Sequence, residues 1–117
     1  MEYHFEKLKI WQMGMELVER IYKLTKDFPK DEQFGIISQI RRAAVSVPLN
    51  IAEGKGRYHT KSFIQFLYQA RGSLYEVITL IKVSHKLAYI EDKESKELQE
   101  LCGNIVGGLN GLVSSMK

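Results

Sequence analysis

The sequence predicts an all-α fold, an antiparallel up-down-up-down four-helix bundle formed by a single domain of 117 residues. Three observations carry this. Apolar residues recur every three or four positions along four separate stretches, the spacing of one helix face. The connections between the stretches are a few residues long, which makes successive helices antiparallel neighbours. Only Pro29 and Pro48 interrupt the chain, and its length suffices for one hydrophobic core.

The first helix is expected over residues 7–27. Ile10, Gly14, Leu17, Ile21, Leu24 and Phe28 form one row, and Trp11, Met15, Val18 and Tyr22 a second beside it. So broad a stripe belongs to a core-facing helix. Pro29 disfavours a helical Phe28, and Asp31 is placed to cap the next helix.

The second helix spans about residues 32–55. Ile36, Ile40, Ala43, Val47 and Ile51 form its inner row, while Phe34, Val45, Leu49 and Ala52 lie on another side. Between them runs a polar seam of Gln39, Arg42, Ser46, Asn50, Glu53 and Arg57. One bundle core uses one apolar side, so the other is expected to meet a further subunit. Pro48 lies inside this helix, removes one donor and frees the carbonyl of Ala44. Ser46, Asn50 or a kink can serve that carbonyl.

The turn Gly54-Lys55-Gly56-Arg57-Tyr58-His59 follows, its glycines suited to a positive φ at the helix end. Thr60 is the expected cap of a third helix over 61–88. Phe63, Leu67, Ala70, Leu74, Val77, Ile81 and Ala88 make its main stripe, widened by Ile64, Tyr75 and Ile78. Leu80, Val83 and Leu87 occupy another side. A short turn at 88–91 leads to a fourth helix over 92–115, with Leu98, Leu101, Ile105, Leu109, Leu112 and Met116 on one face. Gly103, Gly107 and Gly111 lie opposite. With Gly108 they cost about 4 kcal/mol of helix propensity against alanine. Either this helix frays, or the glycines admit another backbone.

The net charge is +3 and the pI about 9.0. Its distribution is uneven. Residues 38–71 hold Arg41, Arg42, Lys55, Arg57, Lys61 and Arg71 against Glu53, whereas 91–100 hold five acidic side chains against Lys93 and Lys96. The molecule is expected to be electrically two-sided, with a basic side that attracts polyanions. The single cysteine, Cys102, excludes an intrachain disulfide and agrees with a reducing compartment. The opening MEYHFEKLKIW lacks the apolar core of a signal peptide, and no run of about 18 apolar residues is present. The expected location is the cytoplasm, with no membrane span.

The sequence carries no di-iron, nucleotide-loop or metal-ligand signature. No glutamate has a histidine three residues later, as di-iron bundles require. His4, His59 and His85 follow no ligand spacing, and Gly-Lys-Gly-Arg at 54–57 is not a phosphate-binding loop after a strand. Cys102 reads as a small buried hydrophobe. Glu53 and Glu76 sit amid surface expected to be buried, where arginine pairing explains them better than acid–base work. No enzyme activity, cofactor or metal is expected. KGRYHTK at 55–61 is the stronger candidate. Lys55, Arg57 and Lys61 can neutralise phosphates, and the interleaved Tyr58 and His59 can meet an unpaired base. Arg41 is a further nucleic-acid-binding candidate. Arg42, Ser46, Asn50 and Glu53 are expected to join Gln69, Ser73 and Glu76 of the third helix in a buried or interfacial polar network, which fixes register and partner choice.

The stretch "FEKLKIWQMGMELVERIYKLTKDFPKDEQFGIISQIRRAAVSVPLNIAEGKGR" resembles the signature of the four-helix-bundle proteins named after the intervening sequences of bacterial 23S ribosomal RNA genes. "FLYQARGSLYEV" resembles the family's second block. That family is similar to the accessory variability determinant proteins of diversity-generating retroelements, homopentamers that bind nucleic acid and a reverse transcriptase. The resemblance implies a pentameric ring, no catalytic residues, and partners drawn from RNA, DNA or a nucleic-acid enzyme. Two function classes follow: a non-enzymatic adaptor that binds nucleic acid through a basic surface repeated around an oligomer, or a protein-interaction scaffold.

Overall fold

The computed structural model describes all 117 residues and contains four α-helices with no strand: α1 (Lys9–Thr25), α2 (Ser38–Lys55), α3 (Thr60–Lys86) and α4 (Asp92–Met116). A 3₁₀ turn, His4–Lys7, precedes α1. The link to α2 is a 3₁₀ turn, Lys30–Glu32, followed by a π turn, Gln33–Ile37. Every neighbouring pair runs antiparallel. Arg41 meets Thr25 while Pro48 meets Gly14; Ser46 meets Ser73 while Gly54 meets Phe63. Arg71 reaches Asn110 and His85 reaches Asp92; Ile10 touches Gly108 and Arg20 faces Glu97.

The core is one cluster centred on Leu17, Ile21, Ile40, Val47, Ile51, Leu67, Leu74, Ile81 and Ile105. These are the inner rows expected from periodicity. The stripe of α3 differs at its edges. Leu80, expected on another side, is buried, whereas Tyr75, expected in the stripe, is half exposed. Three buried hydroxyl side chains are satisfied: Thr25 and Ser84 donate to carbonyls one turn back, and Ser95 accepts from Gln99.

Pro48 is buried, and α2 continues through it. Its ring packs on α1 at Gly14, where an added Cβ would lie 3.3 Å from the proline Cδ. Neither expected donor reaches Ala44: Ser46 Oγ donates to Ala43 O at 3.1 Å and Asn50 Nδ2 to Ser46 O at 2.8 Å. A proline in this position is a packing residue, and a glycine opposite makes the space.

The helix ends depart from expectation: α2 begins at Ser38 rather than near residue 32, because Gly35 leaves the helical conformation (φ −108°, ψ −114°) in the turn before it. Asp31 caps nothing; Glu32 accepts the Ile36 N–H at 3.4 Å. His59, not Thr60, occupies the cap position of α3, and its side chain makes no cap hydrogen bond. Gly56 has φ −80°, and no glycine has a positive φ. Gly54 instead serves close approach. A Cβ there would lie 2.6 Å from Phe66 Cβ and 3.0 Å from Phe63 Cδ1. The left-handed residue is Ala88, with φ 63°. It closes α3 in a Schellman motif, with Tyr89 N–H donating to Ser84 O at 2.9 Å and Ala88 N–H to His85 O at 3.0 Å. Helix α4 remains helical through its glycines to Met116, and Gly103, Gly107 and Gly111 face open space.

Two stability effects follow. Ala88→Gly removes the left-handed penalty of a Cβ and should raise stability by about 1 kcal/mol in chemical denaturation. Gly54→Ala forces two backbones apart and should lower stability by about 1–2 kcal/mol despite better helix propensity. In the same assay Gly103→Ala, with nothing near it, should be neutral or stabilising.

Candidate nucleic-acid interface

The end of the bundle where α2 passes into α3 and α4 finishes gathers most of the candidate cations. Gly54 sets its geometry. Because no side chain intervenes, the end of α2 lies directly on Phe63 and Phe66, and the next residues pass over those rings. Lys55 Nζ is 5.7 Å from the Phe63 ring centroid, and the Arg57 guanidinium 4.6 Å from that of Phe66. Arg57 also pairs with Glu53 at 3.3 Å, an exposed contact of small energetic weight. Tyr58 is 94% exposed and touches His59 edge-on at 4.9 Å. Lys61 is exposed at the start of a groove between α3 and α4.

That groove brings in residues that sequence reasoning missed. Tyr68 stands beside it, with Arg71 at 4.8 Å and Lys117 at 5.7 Å from its ring. Arg71 is further held by Asn110 at 2.9 Å. The i, i+3 spacing of Tyr68 and Arg71 is a local signal for that contact. Lys117 is far away in sequence, so its arrival depends on the fold. Three rings thus sit beneath four cations and hold them against the surface, an arrangement favoured by the quadrupole of the ring face.

Arg41 is not part of this end. Its Nε donates to Thr25 Oγ1 at 2.8 Å, its Nη2 to Tyr22 O at 3.3 Å, and its guanidinium lies 4.4 Å from the Tyr22 ring. It fastens α1 to α2 near the opposite end of the bundle. The polar network is likewise smaller than expected. Ser46 and Ser73 are hydrogen-bonded and Asn50 joins through the Ser46 carbonyl. Arg42 and Glu76 line the same open cleft as Ser46 without forming an ion pair, while Glu53 turns to Arg57. Arg42, Glu53, Gln69 and Glu76 are all exposed in the single chain, so they form no buried network within it. These residues lie on the outer rim of the α2–α3 pair, where a single four-helix bundle leaves them in contact with solvent.

The second apolar side of α2 is uncovered: Phe34 is 91% exposed, Leu49 57% and Val45 37%. The acidic residues gather elsewhere. Glu94, Glu97 and Glu100 lie along the α1–α4 side, where Arg20 sits 3.6 Å from both Glu16 and Glu97. Cys102 is fully buried, and burial pushes its thiol up to about 12. It therefore stays protonated and unreactive at neutral pH. The three histidines are exposed and well separated, with His85 against Asp92. No three acidic, histidine or cysteine side chains converge as a metal site would need. No helix is long and apolar enough to cross a membrane.

Comparison with known proteins agrees with the fold. A search of curated protein sequences finds no match. The crystal structure of a protein of unknown function from the S23 ribosomal protein family of Bacteroides thetaiotaomicron superposes with a TM-score of 0.83. It is 21% identical, over 90% of this chain and 95% of that one. The family model described as "23S rRNA-intervening sequence protein" matches residues 6–111, from the turn before α1 to the glycines of α4. With that match spanning all four helices, the chain belongs to the 23S rRNA-intervening sequence protein family.

Proposed function

We propose that this protein is a non-enzymatic, self-associating adaptor that binds nucleic acid through the basic end built by Lys55, Arg57, Lys61 and Lys117. The observation that carries the reading is the seating of cations over aromatic rings beside a freely exposed tyrosine. An ordinary solubilising turn has no need to fix its charges. Held cations lose less side-chain freedom when they meet phosphates, and phosphate neutralisation supplies sequence-independent affinity.

Self-association adds to this. The exposed Phe34, Val45 and Leu49 would gain by burial against other copies. The resemblance to the retroelement accessory proteins makes a pentamer the expected assembly. Several copies of a modest patch give avidity when one strand reaches more than one of them. The same apolar residues support a second reading, a scaffold whose partner is a protein such as a nucleic-acid enzyme.

Salt separates the two readings. Binding to a structured RNA should weaken steeply with salt, with a logarithmic slope of about −0.7 to −0.9 for each phosphate contacted. A Lys55→Glu/Arg57→Glu/Lys61→Glu variant should lose at least about tenfold in affinity while keeping the wild-type mass in light scattering, each reversed charge removing phosphate contacts. Unchanged RNA affinity in that variant, or salt-insensitive binding, would contradict the adaptor reading and favour the scaffold.

A further inference from the structure

We infer that this end of the bundle takes single-stranded nucleic acid in preference to a duplex, with Tyr58 as the platform on which an unpaired base stacks. The inference rests on the nucleic-acid reading above and deepens it.

The aromatic rings at this end are used in two ways. Phe63, Phe66 and Tyr68 each lie against the body of the bundle and carry a cation. Phe63 is buried, and Phe66 and Tyr68 are half-buried. Among the rings at this end, Tyr58 stands away from the core and meets His59 in a T-shaped contact, leaving it 94% exposed. A ring so placed buries almost no surface on folding. It stands at the tip of the turn between Arg57 and Lys61, where backbone phosphates would be drawn.

Base faces are open to such a ring only where the strand is unpaired, because a duplex buries them in its own stack. The groove beside the turn fits the same ligand. It is lined by Lys61, Ile64, Gln65, Tyr68, Met116 and Lys117. Lys61 stands in the first turn of α3 and Lys117 just beyond the end of α4, and Ile64 and Met116 line the same groove. From Lys61 to Tyr68 it extends along α3 for about 10 Å, at 1.5 Å per residue. Phosphates can follow the lysines while a base or sugar lies on Ile64 and Met116. A rigid duplex offers its phosphates at the surface and has no loose base to lay there.

The test compares a short oligouridylate, an oligothymidylate of the same length and a blunt duplex of that length by fluorescence anisotropy. Wild type, Tyr58→Ala and Tyr58→Phe are measured at one salt concentration. The expected result is tighter binding of both single strands than of the duplex, since neither stacking nor phosphate pairing needs the 2′-hydroxyl. Tyr58→Ala should weaken single-strand binding by about fivefold or more, the lower range for one stacked base. Tyr58→Phe should keep it, because the ring face remains, and neither change should alter duplex binding. At 94% exposure, Tyr58 can be replaced without endangering the fold. Duplex binding equal to or tighter than single-strand binding would overturn the inference and leave the adaptor reading standing. An unchanged single-strand affinity in Tyr58→Ala would overturn it in the same way. Binding to none of the three probes would overturn both.

Discussion

A proline ring seated on a glycine fixes how α1 and α2 lie together, and the rest of the bundle is arranged around that contact. Gly14 leaves 3.3 Å between its absent Cβ and Pro48 Cδ, so the two helices meet with no side chain to spare. A second close approach, Gly54 on Phe63 and Phe66, repeats the device where α2 hands over to α3. A third, Gly108 against Ile10, brings α4 onto α1. Three glycines on three helices are therefore spent on proximity. Each accepts a helix-propensity cost of about 1 kcal/mol to let neighbouring helices close. The breaker in the sequence is a packing element; of its polar neighbours, Ser46 and Asn50 are half-buried against α3, and Arg42 and Glu53 look outward.

The second of these contacts links fold to function. Because Gly54 presses α2 onto the rings of α3, Lys55 and Arg57 emerge above Phe63 and Phe66 rather than at random in solvent. The same logic brings Lys117 and Arg71 to Tyr68. Cation–π contacts of this exposed kind are worth about 0.5–1 kcal/mol each. Their value here lies in holding charges in place. The acidic residues of α4 are kept to the α1–α4 side and interleave with Arg20. A polyanion therefore meets one attractive end and a mixed, weakly acidic flank.

Much of this was legible in the sequence. Periodicity located all four helices and most of their buried rows, but it began α2 six residues early, because a non-helical Gly35 interrupts the pattern before Ser38. It also flagged Phe34, Val45 and Leu49 as apolar residues that a single core would not cover, and they are exposed in the chain. Helix ends were less legible, because they depend on backbone geometry that residue types only bias. Ala88 takes the left-handed position that glycine usually holds, and Gly56 does not take it. The partners of Pro48 and Arg41 were illegible because each lies on another helix. Arg41 shares its charge with Arg42 next to it, yet one clamps Tyr22 and Thr25 while the other faces solvent. The turn at 55–61 was visible as a basic run with aromatics. Its extension through Tyr68, Arg71 and Lys117 arises only when the ends of α3 and α4 meet.

The most direct test of the account is a map of the bound surface. Backbone amide shifts of the labelled protein would be followed while a short oligouridylate is added. Perturbations should gather on residues 55–68 and around Lys117, with little change at Arg41 or along the α1–α4 groove. Perturbations centred on that groove or on Phe34 and Leu49, or none at all, would contradict it.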